Sequence, residues 1–155
     1  MVTVNFYDRV DDYLLKFAVI VSRYHGEWVF CKHKQRNTYE IPGGHREAGE
    51  DILNTAKREL FEETGAAEFD IRPICVYSVQ GKNAVIEDEQ ETFGMLYFAD
   101  ITVFGELPDS EMERIEFFHD LPNKLTYPLI QPKLMDKVKS VVFAQQVERK
   151  LGGTL

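Results

Sequence analysis

Cysteine is scarce in this chain, with two residues, Cys31 and Cys75, among 155. They stand far apart, and no Cys-x-x-Cys pair exists to hold zinc or run redox exchange. Both fall in apolar, strand-like segments, where a reduced, buried thiol is the expected state. Long apolar runs are also missing. Nothing approaches the roughly 20 apolar residues a membrane helix needs. The opening stretch MVTVNFYDRVDDYLLKFAVIV carries acids where a secretory leader carries bases, and its apolar run is short. Positive charge is in deficit: 18 Lys and Arg face 26 Asp and Glu, a formal net charge of −8. That argues against a broad nucleic-acid surface or an anionic membrane as main partner. A small phosphate substrate stays open, because a bound metal ion reverses the local sign. No repeat and no linker interrupts the chain. The expectation is one domain over residues 1–155, a monomer or homodimer, with the cytoplasm as its default location.

What the sequence does contain is concentrated in one stretch, GGHREAGEDILNTAKRELFEETGA, residues 43–66. A glycine pair leads into a short helix dense in carboxylates. Glu59, Glu62 and Glu63 stand at i, i+3 and i+4, so they project from nearly one face, with β-carbons about 5–6 Å apart. At an effective dielectric near 20, two such charges repel by roughly 2–3 kcal/mol. Arg58, an i,i+4 partner of Glu62, relieves part of this, but it is one cation against three anions. A hard divalent cation held by oxygen ligands supplies the remainder. Acids at Glu50 and Asp51 suit the helix start. Leu53, Ala56 and Leu60 form its apolar stripe, with Ile52 or Phe61 at the edges. Gly65 caps the end.

The flanking chain alternates. Residues 15–22 read as a strand buried on both faces. His25-Gly26-Glu27 is a hairpin turn, and 27–33 returns, with Trp28 and Phe30 on one face and Val29 and Cys31 on the other. Lys34 to Thr38 is a polar loop. Residues 69–79 and 92–101 read as strands, with a turn over 80–84 and an acidic segment over 87–91 between them. Residues 107–110 form a loop and 111–118 a further strand. A long helix runs from Leu129 to about Lys150, closed by Gly152-Gly153. Residues 1–14 form an edge strand or an arm. The order fits an α/β fold, a mixed β-sheet between helices in α/β/α layers.

The frame from Gly44 through Glu50, Arg58-Glu59-Leu60, Glu62-Glu63 and Gly65-Ala66 resembles the signature of the Nudix hydrolases, Mg²⁺-dependent enzymes that cut diphosphate linkages. Every fixed position is filled. Ala66 is the soft departure, standing where the family more often has a larger aliphatic residue. The resemblance implies the Nudix-type α/β/α sandwich and a Mg²⁺ site, with Mn²⁺ as a substitute. Its ligands would be Glu59 and Glu63 first, then Glu62 as a shared or water-bridged ligand or an aid to the base, and the Gly43 carbonyl. Arg58 would orient the carboxylates, and Glu50 would lock the loop to the helix. The general base varies in the family. Glu111 is the candidate, with Glu89 and Glu91 as weaker alternatives.

One of Lys32, His33, Lys34 and Arg36 is a candidate for a substrate phosphate. His45 occupies a variable motif position and reads as exposed. Tyr77, Tyr97, Phe118 and Tyr127 are candidates for stacking on a base, though core packing is the simpler reading for each. The marks of ADP-ribose hydrolases and of one dinucleoside-polyphosphate subgroup, a proline near Gly81 and a tyrosine near Lys82 to Ala84, are absent. The expected substrate is therefore a small nucleotide. A nucleoside triphosphate leads, including an oxidised purine such as 8-oxo-dGTP, cut to monophosphate and pyrophosphate. The alternatives are a nucleotide sugar or dinucleoside polyphosphate. A diphosphate isomerase on the same fold would need extra acid–base residues. A non-catalytic ligand sensor would be expected to lack motif acids, and none is missing.

Overall fold

The structure is a computed structural model that describes residues 2–81 and 90–152. The turn residues 82–84, the acidic residues 87–89 including Glu89, and Gly153 lie outside them. The elements follow the alternation of the sequence. Strand β1 is Thr3–Tyr7, β2 is Leu15–Tyr24, β3 is Glu27–His33, β4 is Tyr39–Glu40 and β5 is Gly43–His45. Helix α1 is Ile52–Thr64. Then come β6 (Ala66–Gln80), β7 (Thr92–Phe104), β8 (Met112–Phe118) and helix α2 (Gln131–Gly152).

The strands form one eight-stranded sheet in the order β1-β6-β7-β2-β3-β4, with β5 on β2 and β8 on β3. It is mixed: β2 runs parallel to β7 and antiparallel to β3 and β5. Period-2 alternation divides its side chains between two cores. Val21, Trp28, Phe30, Leu96 and Phe98 face α2 through Leu134, Met135, Val138 and Val142. Ala18, Ile20, Val29, Tyr97 and Ala99 face α1 through Ala56 and Leu60. The helices therefore cover opposite faces, the α/β/α layering expected. The described part of the N-terminal segment, residues 2–14, contributes the edge strand β1, paired with β6.

Strand β2 changes partners along its length. Its Tyr24 end pairs with β3 through the hairpin, where His25 and Gly26 take positive φ. Its Phe17 end pairs instead with Gly43 to His45 of β5. Strand β3 meanwhile takes β8 and β4. The glycine stretch is thus a short strand as well as a turn, and it holds the entry to α1 against the middle of the sheet.

Helix α1 begins where Asp51 accepts the Leu53 N–H at 2.8 Å. It ends where Gly65, at φ 76°, donates to the Phe61 carbonyl at 2.8 Å. A Cβ at Gly65 would lie 2.9 Å from the Glu106 carbonyl oxygen, so both the dihedral and the space call for glycine. The packed stripe differs at its edge from the sequence reading. Thr55, Ala56, Leu60 and Thr64 are buried, while Phe61 is 49% exposed. The threonines are accommodated because their hydroxyls bond locally, Thr55 to Glu50 and Thr64 to the Leu60 carbonyl.

Candidate active site

The site is built from the two ends of the motif. At the loop end, Glu50 accepts four hydrogen bonds: two from Arg58 (2.7 and 2.9 Å), one from the Thr55 hydroxyl (2.7 Å) and one from the Glu47 N–H (3.1 Å). Arg58 holds its carboxyl far below the ordinary range, at about 2, with the Thr55 bond adding to the effect. Arg58 also donates to the His45 carbonyl, to Glu59 at 2.8 Å and to Glu62 at 3.4 Å. Arg46 adds a bond to the Glu50 carbonyl and a pair with Asp12. Loop and helix are one clamped unit, which is the locking role expected of Glu50.

At the other end, Glu59 and Glu63 point at the glycine strand. Glu63 accepts the Gly43 N–H at 2.7 Å. A Cβ on Gly44 would collide with the Glu59 carboxylate, so the glycine makes the space that this acid fills. Burial pushes Glu63 up to about 8, against the lowering effect of the Gly43 bond, and the charges of Glu59, Glu40 and Glu111 raise it further. Burial raises Glu59 as well, despite the bond from Arg58. This is a local deficit of positive charge.

Both acids line a cavity of about 460 Å³, an ordinary size for a small-molecule site. Gly43, Gly44, His45, Glu47, Glu111 and Tyr127 also line it. Glu62 does not. Its side chain is 46% exposed on the Arg58 side of the helix. Among the described residues, no three His, Cys, Asp or Glu side chains form a cage for a metal ion. Two partly buried carboxylates beside a glycine backbone nevertheless suit a hard cation that keeps waters and substrate phosphates as its other ligands.

The remaining candidates separate clearly. Glu111 is largely exposed at the cavity wall, 3.5 Å from His33 Nε2. His33 Nδ1 accepts the Gln35 N–H, which leaves the ring proton on Nε2, facing Glu111. Glu91 is tied down by the Tyr7 and Ser78 hydroxyls at 2.6 and 2.5 Å. Lys32 pairs with Glu113 and Lys34 with Asp109, whereas Arg36 lines the cavity, bonded to Glu40 at 3.1 Å. Tyr77 is buried and Tyr127 half-buried, and both line the cavity. Tyr97 sits in the α1-side core, and Phe118 packs against Phe30 and Tyr39. Sequence reasoning missed Glu40 and Gln131, both buried and both in the cavity lining. Gln131 accepts the Ile41 N–H at 3.0 Å. An acid two positions before Pro42-Gly43-Gly44 and an amide opening an apolar helix were the available signals.

Fold, motif and cavity define a class of protein, and the family comparison agrees: residues 12–145 match the NUDIX domain, and the chain belongs to the Nudix hydrolase family. Among its relatives is YtkD of Bacillus subtilis (strain 168), provisionally assigned as an 8-oxo-dGTP diphosphatase. It is 35% identical over 112 residues, a match covering 72% of this chain and 66% of YtkD. The Mus musculus nucleoside diphosphate-linked moiety X motif 6 is 56% identical over 34 residues, 22% of this chain and 11% of that protein. The structure resembles that of a mutant of the Bacillus subtilis pyrophosphohydrolase BsRppH, with a TM-score of 0.72 and 28% identity over 90% of each chain.

Proposed function

We propose that this chain hydrolyses a diphosphate linkage in a small nucleotide, with Mg²⁺ or Mn²⁺ at Glu59, Glu63 and the Gly43 carbonyl, and Glu62 reached through water. The observation that carries the reading is the pair of partly buried carboxylates, short of positive partners, against a glycine backbone on the wall of a ligand-sized cavity. Bound there, the cation would neutralise substrate phosphates and lower the pKa of a water. Arg58 positions Glu59 and keeps the helix and loop in register. Glu111 accepts the proton of the attacking water, and the neighbouring His33 N–H steadies its carboxylate. Arg36 offers a cation to a phosphate, and Tyr77 and Tyr127 offer ring surface to a base. The motif places no serine, cysteine or histidine as a nucleophile, so water oxygen bonds to phosphorus as the bridging P–O bond breaks.

A nucleoside triphosphate, cut to monophosphate and pyrophosphate, is the leading substrate. YtkD's assignment makes 8-oxo-dGTP the first compound to test. Nucleotide sugars and dinucleoside polyphosphates share the chemistry and form the second arm. Turnover of this panel should vanish in EDTA and return with Mg²⁺ or Mn²⁺. Full activity in chelator would overturn the reading. Reaction in ¹⁸O-water should place label in the monophosphate. Label in pyrophosphate would move attack to the β-phosphorus. Release of γ-phosphate alone would instead indicate an ordinary triphosphatase.

A further inference from the structure

Helix α2 runs between two cavities. Its first turns, at Gln131 and Leu134, line the large one. Its later turns, at Val142, Gln145 and Arg149, line a second of about 260 Å³. Gln131 and Gln145 are 14 positions apart, or about 21 Å along a helix. The floor of the second cavity is the far end of the sheet: Arg23 of β2, Asp70 and Arg72 of β6, and Phe98 and Asp100 of β7. Strand register brings these together, with Asp70 opposite Asp100, Arg72 opposite Phe98, and Arg23 beside Asp100.

The opposite charges that share this cavity are not paired with one another. Among the described residues, Arg23, Arg72 and Arg149 make no ion pair, although two aspartates share the cavity. Arg72 lies over the Phe98 ring at 5.2 Å and Arg23 over Trp28 at 5.1 Å, which fixes their planes without using their N–H groups. Two buried polar atoms lack hydrogen-bond partners, Arg72 Nε, a donor, and Gln145 Oε1, an acceptor. Leaving either unmade is costly, and such atoms call for a missing partner.

Three arginines against two aspartates leave the cavity with an excess of one positive charge, so it suits an anion that supplies both an acceptor and a donor. Sulfate and chloride have no donor. Phosphate near neutral pH has acceptor oxygens and one P–OH as hydrogenphosphate or two as dihydrogenphosphate. One such proton would go to Gln145 Oε1, and the second form has another for the carboxylate of Asp70 or Asp100, which would repel an anion without a donor. We propose that the cavity at the far end of α2 is a binding site for inorganic phosphate, selective over sulfate. It stands apart from the diphosphate site and does not depend on the reading of that site.

The test is calorimetric titration of the full chain in EDTA, at constant ionic strength, with sodium phosphate and with sodium sulfate. Phosphate should bind in the millimolar range, and sulfate at least about tenfold more weakly, the loss expected for one charge-assisted hydrogen bond. Arg72→Gln should weaken phosphate by a similar factor. So should Arg149→Gln, which changes an exposed position and leaves the core intact. Glu63→Gln should leave phosphate affinity unchanged. Equal affinity for the two anions would overturn the proposal, as would absence of phosphate binding. Binding that survives both arginine changes but is altered by Glu63→Gln would assign the phosphate to the large cavity and also overturn it.

Discussion

Glu50 and Glu63 stand at the two ends of one motif and have opposite fates. Glu50 is surrounded by donors and held ionised, at about 2. Glu63 has one backbone N–H and three neighbouring carboxylates, and is pushed up to about 8. The rise from 4.5 corresponds to roughly 4–5 kcal/mol against its charged form. Where charge is balanced, the protein has built scaffold. Where balance is withheld, it has left the charge deficit that the proposed cation would fill. The carboxylate that destabilises the free protein is the one expected to matter most for chemistry.

The sharpest way to break this contrast is Glu63→Gln. The amide keeps the shape and can still accept the Gly43 N–H, but it removes the charge of a proposed ligand. Turnover should fall by about two to four orders of magnitude. Melting in EDTA should occur at the same temperature or slightly higher, because a disfavoured charge is gone. A steady-state assay beside a thermal melt reads both. Unchanged turnover would place Glu63 outside the site, and a large loss of apo stability would make it structural.

Arg58→Met probes the other end. It strands Glu50 beside Thr55 and frees Glu59. The melting temperature should drop clearly, by more than any change from Glu63→Gln, and activity should fall through misplacement of Glu59. A variant with the wild-type melting temperature would show that the Glu50–Arg58 clamp is dispensable.

The two acids also predict opposite pH limbs of apo stability. Glu63 is raised in the folded state, so its contribution is present in acid and is lost as pH climbs from about 4.5 to about 8. Glu50 is depressed, so its contribution is present above 4.5 and is lost as pH falls toward about 2. Denaturant melts across pH should therefore weaken at both sides. Glu63→Gln, or saturating Mg²⁺, should flatten the upper limb alone. An upper limb unaffected by both would separate Glu63 from the alkaline loss.

How much of this was legible in the sequence follows the range of the forces. The Leu15–Tyr24 and Glu27–His33 hairpin and the caps of α1 were readable, because alternation, turn and cap signals act within a few residues. Strand β5 reads in the sequence as a glycine stretch leading into the helix, because Gly43-Gly44-His45 has no side-chain alternation to announce pairing with β2. The phosphate-binding role considered for Lys32 and Lys34 met partners, Glu113 and Asp109, from a strand and loop more than 70 positions away. Glu40 and Gln131 became cavity walls through tertiary packing, and the local signals at these positions do not say that the two walls meet. Arg58 was assigned to the helix trio by i,i+4 spacing, yet its two short parallel bonds go to Glu50, eight positions earlier.

The smallest expected effect tests that last point through Glu62. Spacing groups Glu62 with Glu59 and Glu63 as one ligand set. The structure gives it a half-exposed side chain, a long 3.4 Å bond to Arg58 and no place in the cavity lining. A carboxylate so placed reaches a cation through water and acts at a distance where solvent screens it. Glu62→Gln should therefore cost about tenfold in turnover, well short of Glu63→Gln, and should leave the melting temperature nearly unchanged. Its Mn²⁺ affinity, read by electron paramagnetic resonance of the free ion, should weaken less than in Glu59→Gln or Glu63→Gln. Losses equal to theirs in both turnover and metal affinity would mean that Glu62 swings inward to bind the ion directly, which would restore the three-carboxylate face that the helical spacing implies.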